Sequence, residues 1–296
     1  MALEVMNLAT FDTAKVKLNY AEGPNAGPAL VLLHGGSARW PYFDGIILDL
    51  AAHWHVFAPD LRGHGKSGRV AWRYALQDYV EDIGAFLREV SGPATLFGHS
   101  LGGMVAWMVA GQCPELVTAV VVGDSPLDRD VWKANTDEHK LAQTRSWRAL
   151  AGGSHSVEEI IVALKDCPAT VPGQTRPLRM RDVYADDDGV YAHLAPRLYD
   201  NDPDMIGVLL EDRDNFLAGY EMETLLPSIH CPVLLLQADP KCGSAMSDVE
   251  ADRAMTLLPQ ASHVLFPGLS HLLFIENKTV VLQAVEAFRA QVRATV

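Results

Sequence analysis

A serine between glycines, Gly98-His99-Ser100-Leu101-Gly102, stands where the short apolar run Ala94–Phe97 gives way to the apolar stretch Leu101–Ala110. Two glycines at that spacing let a strand turn sharply into a helix, and the turn lifts the serine Oγ clear of the sheet edge. The backbone N–H of Leu101 then opens the helix, a place suited to a developing oxyanion. The five-residue motif alone is a weak signal, and its strand-to-helix setting is what strengthens it. Upstream, His34-Gly35-Gly36-Ser37 directly follows the run Ala29–Leu33, and the Gly36 N–H is the candidate second oxyanion donor. A nucleophilic serine also needs a base, and the chain has eleven histidines. His271 follows the last apolar run, His263–Phe266, in the turn Pro267-Gly268-Leu269-Ser270 just before the final helical pattern. Loops at strand ends are where catalytic side chains are held, so His271 is the candidate base. His263, at the start of that strand, reads as structural.

These residues need a scaffold, and the chain supplies one as an alternation. The apolar runs Ala29–Leu33, His55–Ala58, Ala94–Phe97, Thr118–Val122, Pro232–Leu236 and His263–Phe266 are nearly continuous, as expected of parallel strands buried on both faces. Between them lie helical periodicities. Tyr79, Ile83, Phe86, Leu87 and Val90 form one stripe, and Val281, Leu282, Val285, Phe288 and Val292 form another. The expected fold is α/β, a mostly parallel sheet flanked by helices. The alternation stops from about 127 to 228, where helical patterns carry many charges and aromatics and no convincing buried strand. This stretch reads as a helical cap (lid), with 1–126 and 229–296 forming the core. Trp132, Trp147 and Tyr220 are candidate substrate-binding residues there. Filling the cap's own small core is the ordinary role for any one such aromatic. The segment Asp60–Ser67, after the run His55–Ala58, reads as a packing loop near the site.

Composition removes several function classes. The 296 residues are 49% apolar, enough for a packed core and far from a disordered composition. At a net charge of −13 the chain lacks the basic footprint that duplex binding requires, so nucleic acid is excluded as a partner. Polyanionic substrates are disfavoured, although a local basic pocket can sit inside an acidic average. Cys113, Cys167, Cys231 and Cys242 are widely spaced with no CxxC, pointing to neither a zinc site nor a disulfide scaffold. No apolar run approaches the roughly 18 residues of a membrane span, and the first twenty residues lack a leader pattern. The expectation is a cytoplasmic protein with no membrane partner.

Taken together, LVLLHGG, FAPDLRGHGKSG, LFGHSLGGMVA, AVVVGDSP, CPVLLLQADP and VLFPGLSH resemble the α/β-hydrolase superfamily over about residues 14–127 and 229–296. The resemblance implies Ser100 as nucleophile, His271 as base, a helical cap inserted between strands 6 and 7, and no metal or organic cofactor. A serine rather than an aspartate at the elbow disfavours dehalogenase and epoxide hydrolase chemistry. The third triad member departs from the common pattern. Most members carry the acid after strand 7, where this chain has Lys241, with Asp239 two positions early. A minority place it after strand 6, about two dozen residues past the nucleophile. Asp124 stands 24 residues past Ser100 and is preferred, with Asp239 the alternative acid. The implied activity is hydrolysis of a small carboxylic ester or lactone through an acyl-enzyme. The same triad also serves cofactor-free perhydrolases (haloperoxidase-like) and C–C bond hydrolases. A ligand-binding or receptor protein with a slow triad is the alternative from another class. Oligomeric state is not encoded in any of these patterns.

Overall fold

The computed structural model describes residues 5–171, 176–185 and 189–295. Eight strands form one sheet: β1 (Asn7–Asp12), β2 (Lys17–Glu22), β3 (Ala29–Leu33), β4 (His55–Pro59), β5 (Ala94–His99), β6 (Val117–Gly123), β7 (Val233–Ala238) and β8 (Ala261–Phe266). Their order across the sheet is β1-β2-β4-β3-β5-β6-β7-β8. The six from β3 onward pair in parallel, as their continuous apolar runs require, and β5 and β7 are buried along their whole length. The first two strands, which the apolar runs do not announce, add an antiparallel hairpin at one edge. Polar Asn7, Thr10 and Asp12 keep β1 largely exposed, the pattern of an edge strand with wet faces.

Apolar clusters cover both faces. On one, helices α1 (Leu76–Phe86) and α2 (Leu101–Gln112) bury Tyr79, Ile83, Phe86, Val105 and Trp107. On the other, Phe43, Ile47, Phe97 and Phe274 pack with Val281, Val285 and Phe288 of the C-terminal helix Lys278–Thr295. Helix α2 is buried on every side from Leu101 to Ala110, so it has no polar face to show.

Between β6 and β7 lies a helical insertion, including Glu138–Leu150, Val157–Leu164, α3 (Val190–Asp200) and Pro203–Glu211. Its Ile160, Leu164, Leu198 and Met205 join the same apolar cluster as α1 and α2, so it packs onto the core. The insertion also holds an antiparallel pair of two-residue strands, Pro168–Ala169 and Leu178–Arg179. Two residues leave no periodicity for a sequence pattern to display. Polar ties fasten the insertion at both ends of its span. Tyr220 donates to the Pro126 carbonyl at 2.6 Å, Tyr74 donates to Asp202 at 2.6 Å, and Glu250 accepts the N–H groups of Leu127 and Asp128 at 3.0 Å each.

Candidate active site

The turn carrying Ser100 is possible only because of its glycines. A Cβ on Gly98 would stand 2.1 Å from the Gly102 carbonyl oxygen, and one on Gly102 would stand 1.9 Å from that of Leu33. With those side chains absent, β5 runs straight into α2, and Ser100 takes φ 53°, ψ −118°, a strained conformation for a residue with a Cβ. Its N–H is held by the Gly123 carbonyl at 3.0 Å, and its own carbonyl accepts Gly103 N–H and the Ser125 hydroxyl. The backbone at Ser100 is thereby over-determined while its side chain stays half-buried. Leu101 is the first helical residue, and its N–H has no carbonyl one turn back to bond.

The loop after β3 comes up against this turn. Gly35 lies so close that a Cβ there would sit 3.2 Å from the Ser100 Cβ, whereas the space around Gly36 is open. His34 holds the loop in place. Its Nε2 accepts the Leu61 N–H at 3.0 Å, which puts the ring proton on Nδ1, donated to the Gly35 carbonyl at 2.8 Å. Burial, aided by the Arg197 charge, lowers the His34 pKa to about 4, so it is a neutral structural imidazole. Leu61 belongs to the loop 60–67. There Asp60 accepts from Trp40 N–H, Lys66 N–H and Asn19 Nδ2, and Arg62 makes a buried two-bond pair with Asp82 at 2.5 and 2.7 Å. These bonds bind the loop to its neighbours.

His271 donates from Nδ1 to the Asp124 carboxylate at 2.6 Å, which leaves Nε2 as the basic nitrogen on the far side of the ring. A second histidine fixes its backbone. His99, the residue before Ser100, donates from Nε2 to the His271 carbonyl at 2.8 Å, with the two rings 4.6 Å apart. The serine turn and the His271 loop, 171 positions apart in the chain, are therefore bonded to each other. Burial first, and then the neighbouring His271, lower the His99 pKa to about 3.

Asp124 has no exposed surface and adopts φ 39°. Its carboxylate accepts the Ala238 N–H at 3.0 Å, the Ala245 N–H at 2.8 Å, the Ser244 hydroxyl and His271. Burial pushes its pKa up, but the His271 hydrogen bond and charge, with the Ala245 and Ser244 bonds, outweigh that and hold it below the usual carboxylate range. Asp239, the alternative acid, lies at the surface and caps a turn, accepting Lys241 N–H and Gly268 N–H at 2.9 Å each. Those two backbone bonds, Gly268 first, hold its carboxyl low, and no bond joins it to His271. His263 pairs with Gln237 at 2.8 Å.

The three aromatics of the insertion differ in place. Trp132 is half-buried with its ring 5.9 Å from Phe216, and Trp147 is half-buried against the apolar cluster. Tyr220 is fully buried and its hydroxyl is taken by Pro126, so it ties the insertion to the residues just after Asp124. Two residues that no sequence pattern singled out also reach this region. Tyr42 lies with its ring 5.2 Å from that of His99, and the Arg197 guanidinium of α3 lies 5.2 Å over the Tyr42 ring. Among the described residues, no three His, Cys, Asp or Glu side chains are grouped to hold a metal ion, and no helix is long and apolar enough to cross a membrane.

A strained serine at a strand-to-helix turn, a glycine loop beside it and a histidine–carboxylate pair on the loops after β8 and β6 define an α/β-hydrolase scaffold. The model of the alpha/beta hydrolase family matches residues 30–284, and the chain belongs to that family. It is similar to 2-(acetamidomethylene)succinate hydrolase of Mesorhizobium japonicum, with 24% identity over 94% of this chain and 93% of that protein. The crystal structure of E-2-(acetamidomethylene)succinate hydrolase superposes with a TM-score of 0.71 at 19% identity, covering 96% and 99% of the two chains. The enol-lactonase of Burkholderia xenovorans LB400 gives 0.70 at 16% identity, covering 95% and 100%. At such identities the structural likeness establishes the shared fold.

Proposed function

We propose that this protein hydrolyses a small carboxylic ester or lactone, with Ser100 as nucleophile, His271 as base and Asp124 as the acid. The observation that carries the proposal is the His271–Asp124 hydrogen bond of 2.6 Å on a loop that His99 ties to the serine turn. His271 Nε2 takes the Ser100 hydroxyl proton as the oxygen attacks the carbonyl carbon. The Gly36 and Leu101 N–H groups receive the oxyanion of the tetrahedral intermediate. Its collapse expels the alcohol with the proton from His271, and water, deprotonated in turn by His271, releases the acid and restores Ser100. Asp124, ionised and saturated with donors, holds the Nδ1–H tautomer and stabilises the imidazolium. Residues 127–228 act as a lid over this chemistry, with Trp132 and Trp147 shaping the acyl site, and residues 1–126 and 229–296 are the catalytic core. The name of one structural relative, an enol-lactonase, supports the lactone class. Four free thiols are in keeping with a cytoplasmic setting.

The test is hydrolysis of p-nitrophenyl acetate and butyrate and of γ- and δ-lactones by the wild type and Ser100→Ala. Loss of a triad serine typically lowers kcat by about 10⁶. A Ser100→Ala enzyme within about tenfold of wild type, with contaminating esterase excluded, would remove the serine mechanism.

A further inference from the structure

Arg197 is a half-buried cation at the junction of insertion and core that has no carboxylate partner among the described residues. Arg39 and Lys66 both reach Asp200, at 2.8 and 2.9 Å. Arg197, one turn earlier on α3, contacts only the Tyr42 ring and His193 Nε2, a neutral acceptor. Burial and the nearby Arg39 charge pull its pKa down, and the only opposing influence is Tyr42. It lies over the Tyr42 ring, and that ring packs against His99, the residue before Ser100.

Tyr42 makes the same point independently. It sits among Phe43, His99 and Phe274, with ring centroids 5.6, 5.2 and 5.0 Å away, where a phenylalanine would pack equally well. Its hydroxyl is buried without a hydrogen-bond partner, and only 7% of the residue is exposed. A buried unpaired hydroxyl is unfavourable unless a ligand completes it. Burial pushes the phenol pKa up, so the group keeps its proton and is a donor. A phenol O–H beside the residue preceding Ser100 and a guanidinium over its ring, both without an anionic partner, form a receptor for an anion.

We infer that the substrate carries a free carboxylate, held by Arg197 and Tyr42 while its ester or lactone carbonyl lies at Ser100. This rests on the hydrolase reading above and names its substrate class. One guanidinium beside a neutral phenol matches the single charge of a carboxylate better than a phosphate dianion. The chain's net charge of −13 repels anions at long range, so any preference for an acid must arise at this site.

Two ester pairs test it: the mono-p-nitrophenyl esters of glutaric and adipic acid, each against its methyl-capped diester. The wild type is expected to favour at least one free acid by about tenfold or more in kcat/KM. Arg197→Met and Tyr42→Phe should lower that ratio, and Arg197→Lys should keep part of it, with thermal melts excluding misfolded variants. Equal or faster turnover of both methyl diesters by the wild type, or an unchanged ratio in Arg197→Met, overturns the inference while leaving the hydrolase standing. Calorimetric titration of glutarate and adipate into wild type and Arg197→Met separates the two readings. Arg197-dependent binding without turnover of any ester keeps the carboxylate site and removes the hydrolase, whereas neither binding nor turnover removes both.

Discussion

Replacing Asp124 by asparagine exchanges two carboxylate oxygens for one carbonyl and one NH2, in a place where every neighbour is a donor. Oδ1 receives Ala238 N–H and the Ser244 hydroxyl, and Oδ2 receives Ala245 N–H and His271 Nδ1–H. If the new NH2 takes the Oδ2 place, it faces the Ala245 N–H and makes His271 accept at Nδ1. The ring proton then moves to Nε2, the nitrogen that must be basic. If it takes the Oδ1 place, it faces the Ala238 N–H instead, and only the Ser244 hydroxyl can turn to adapt. Either way one buried backbone N–H loses its acceptor, which costs about 1–3 kcal/mol of stability. The imidazolium formed in the reaction also loses its counter-charge. In a well-studied serine protease the equivalent change lowers kcat by about 10⁴, and here a loss of at least about a hundredfold is expected. Asp239→Asn, at a surface turn, should stay within about twofold. The assay is kcat/KM on p-nitrophenyl acetate at neutral pH, beside urea unfolding of each variant. A crippled Asp239→Asn with a near-wild-type Asp124→Asn would refute the reasoning and move the acid to the loop after β7.

Further expectations concern the histidines and the insertion. His271→Ala should abolish ester turnover, and His263→Ala, which breaks the Gln237 contact, should lower the melting temperature more than kcat; the reverse pattern would mean the wrong histidine was chosen. His34, His64 and His99 have pKa values lowered by burial to about 4, 3 and 3, so below their ordinary 6.5 the unfolded chain takes up the protons first. Stability is then full above about pH 6.5 and falls as the pH drops towards 4, by about 2 kcal/mol per histidine at pH 5. A urea midpoint unchanged between pH 7.5 and 5 would contradict this. Trp132→Ala and Trp147→Ala should alter the preference between p-nitrophenyl acetate and longer acyl esters while leaving the pH profile in place. Tyr220→Phe should cost about 1 kcal/mol through the Pro126 bond, read by urea unfolding.

Strands β3 to β7 could be read from the sequence because burial on both faces writes itself as unbroken apolar runs, and β8, a partly buried edge strand, still carries the short run His263–Phe266. The run Ala29–Leu33 coincides with β3, and the others match their strands to within one or two residues. The β1–β2 hairpin escaped because polar residues interrupt both strands, NLATFD and KLNYAE, and leave no unbroken apolar run. At the site, Ser100 and His271 were marked by local motif and by chain position, which are one-dimensional. The choice between Asp124 and Asp239 was not, since both end neighbouring strands and spacing fixes no direction. What separates them in space is burial: the loop 244–245 folds over Asp124 and bonds it, while Asp239 turns outward to Gly268. Arg197 and Tyr42 left no trace in the sequence. An arginine on an amphipathic helix looks solvated, and only the docking of α3 brings it over the ring of a residue 155 positions away.

With the proposed acid just after β6, the parts of the site are completed in a fixed order along the chain. As the chain leaves the ribosome, the oxyanion loop, Ser100 and Asp124 all emerge before the insertion, and His271 follows some 147 residues after Asp124. The amides of Ala238 and Ala245 and the Ser244 hydroxyl, which keep that carboxylate ionised, also arrive late. On the proposed triad, a nascent fragment ending within the insertion thus carries a nucleophile with no base and an acid without its Ala238, Ser244 and Ala245 donors. Such a fragment is chemically silent however well its early strands have paired. Turnover begins only when β7 and β8 dock, so in a refolding experiment the return of esterase activity marks the closing of the sheet at its last edge, later than the recovery of helical signal.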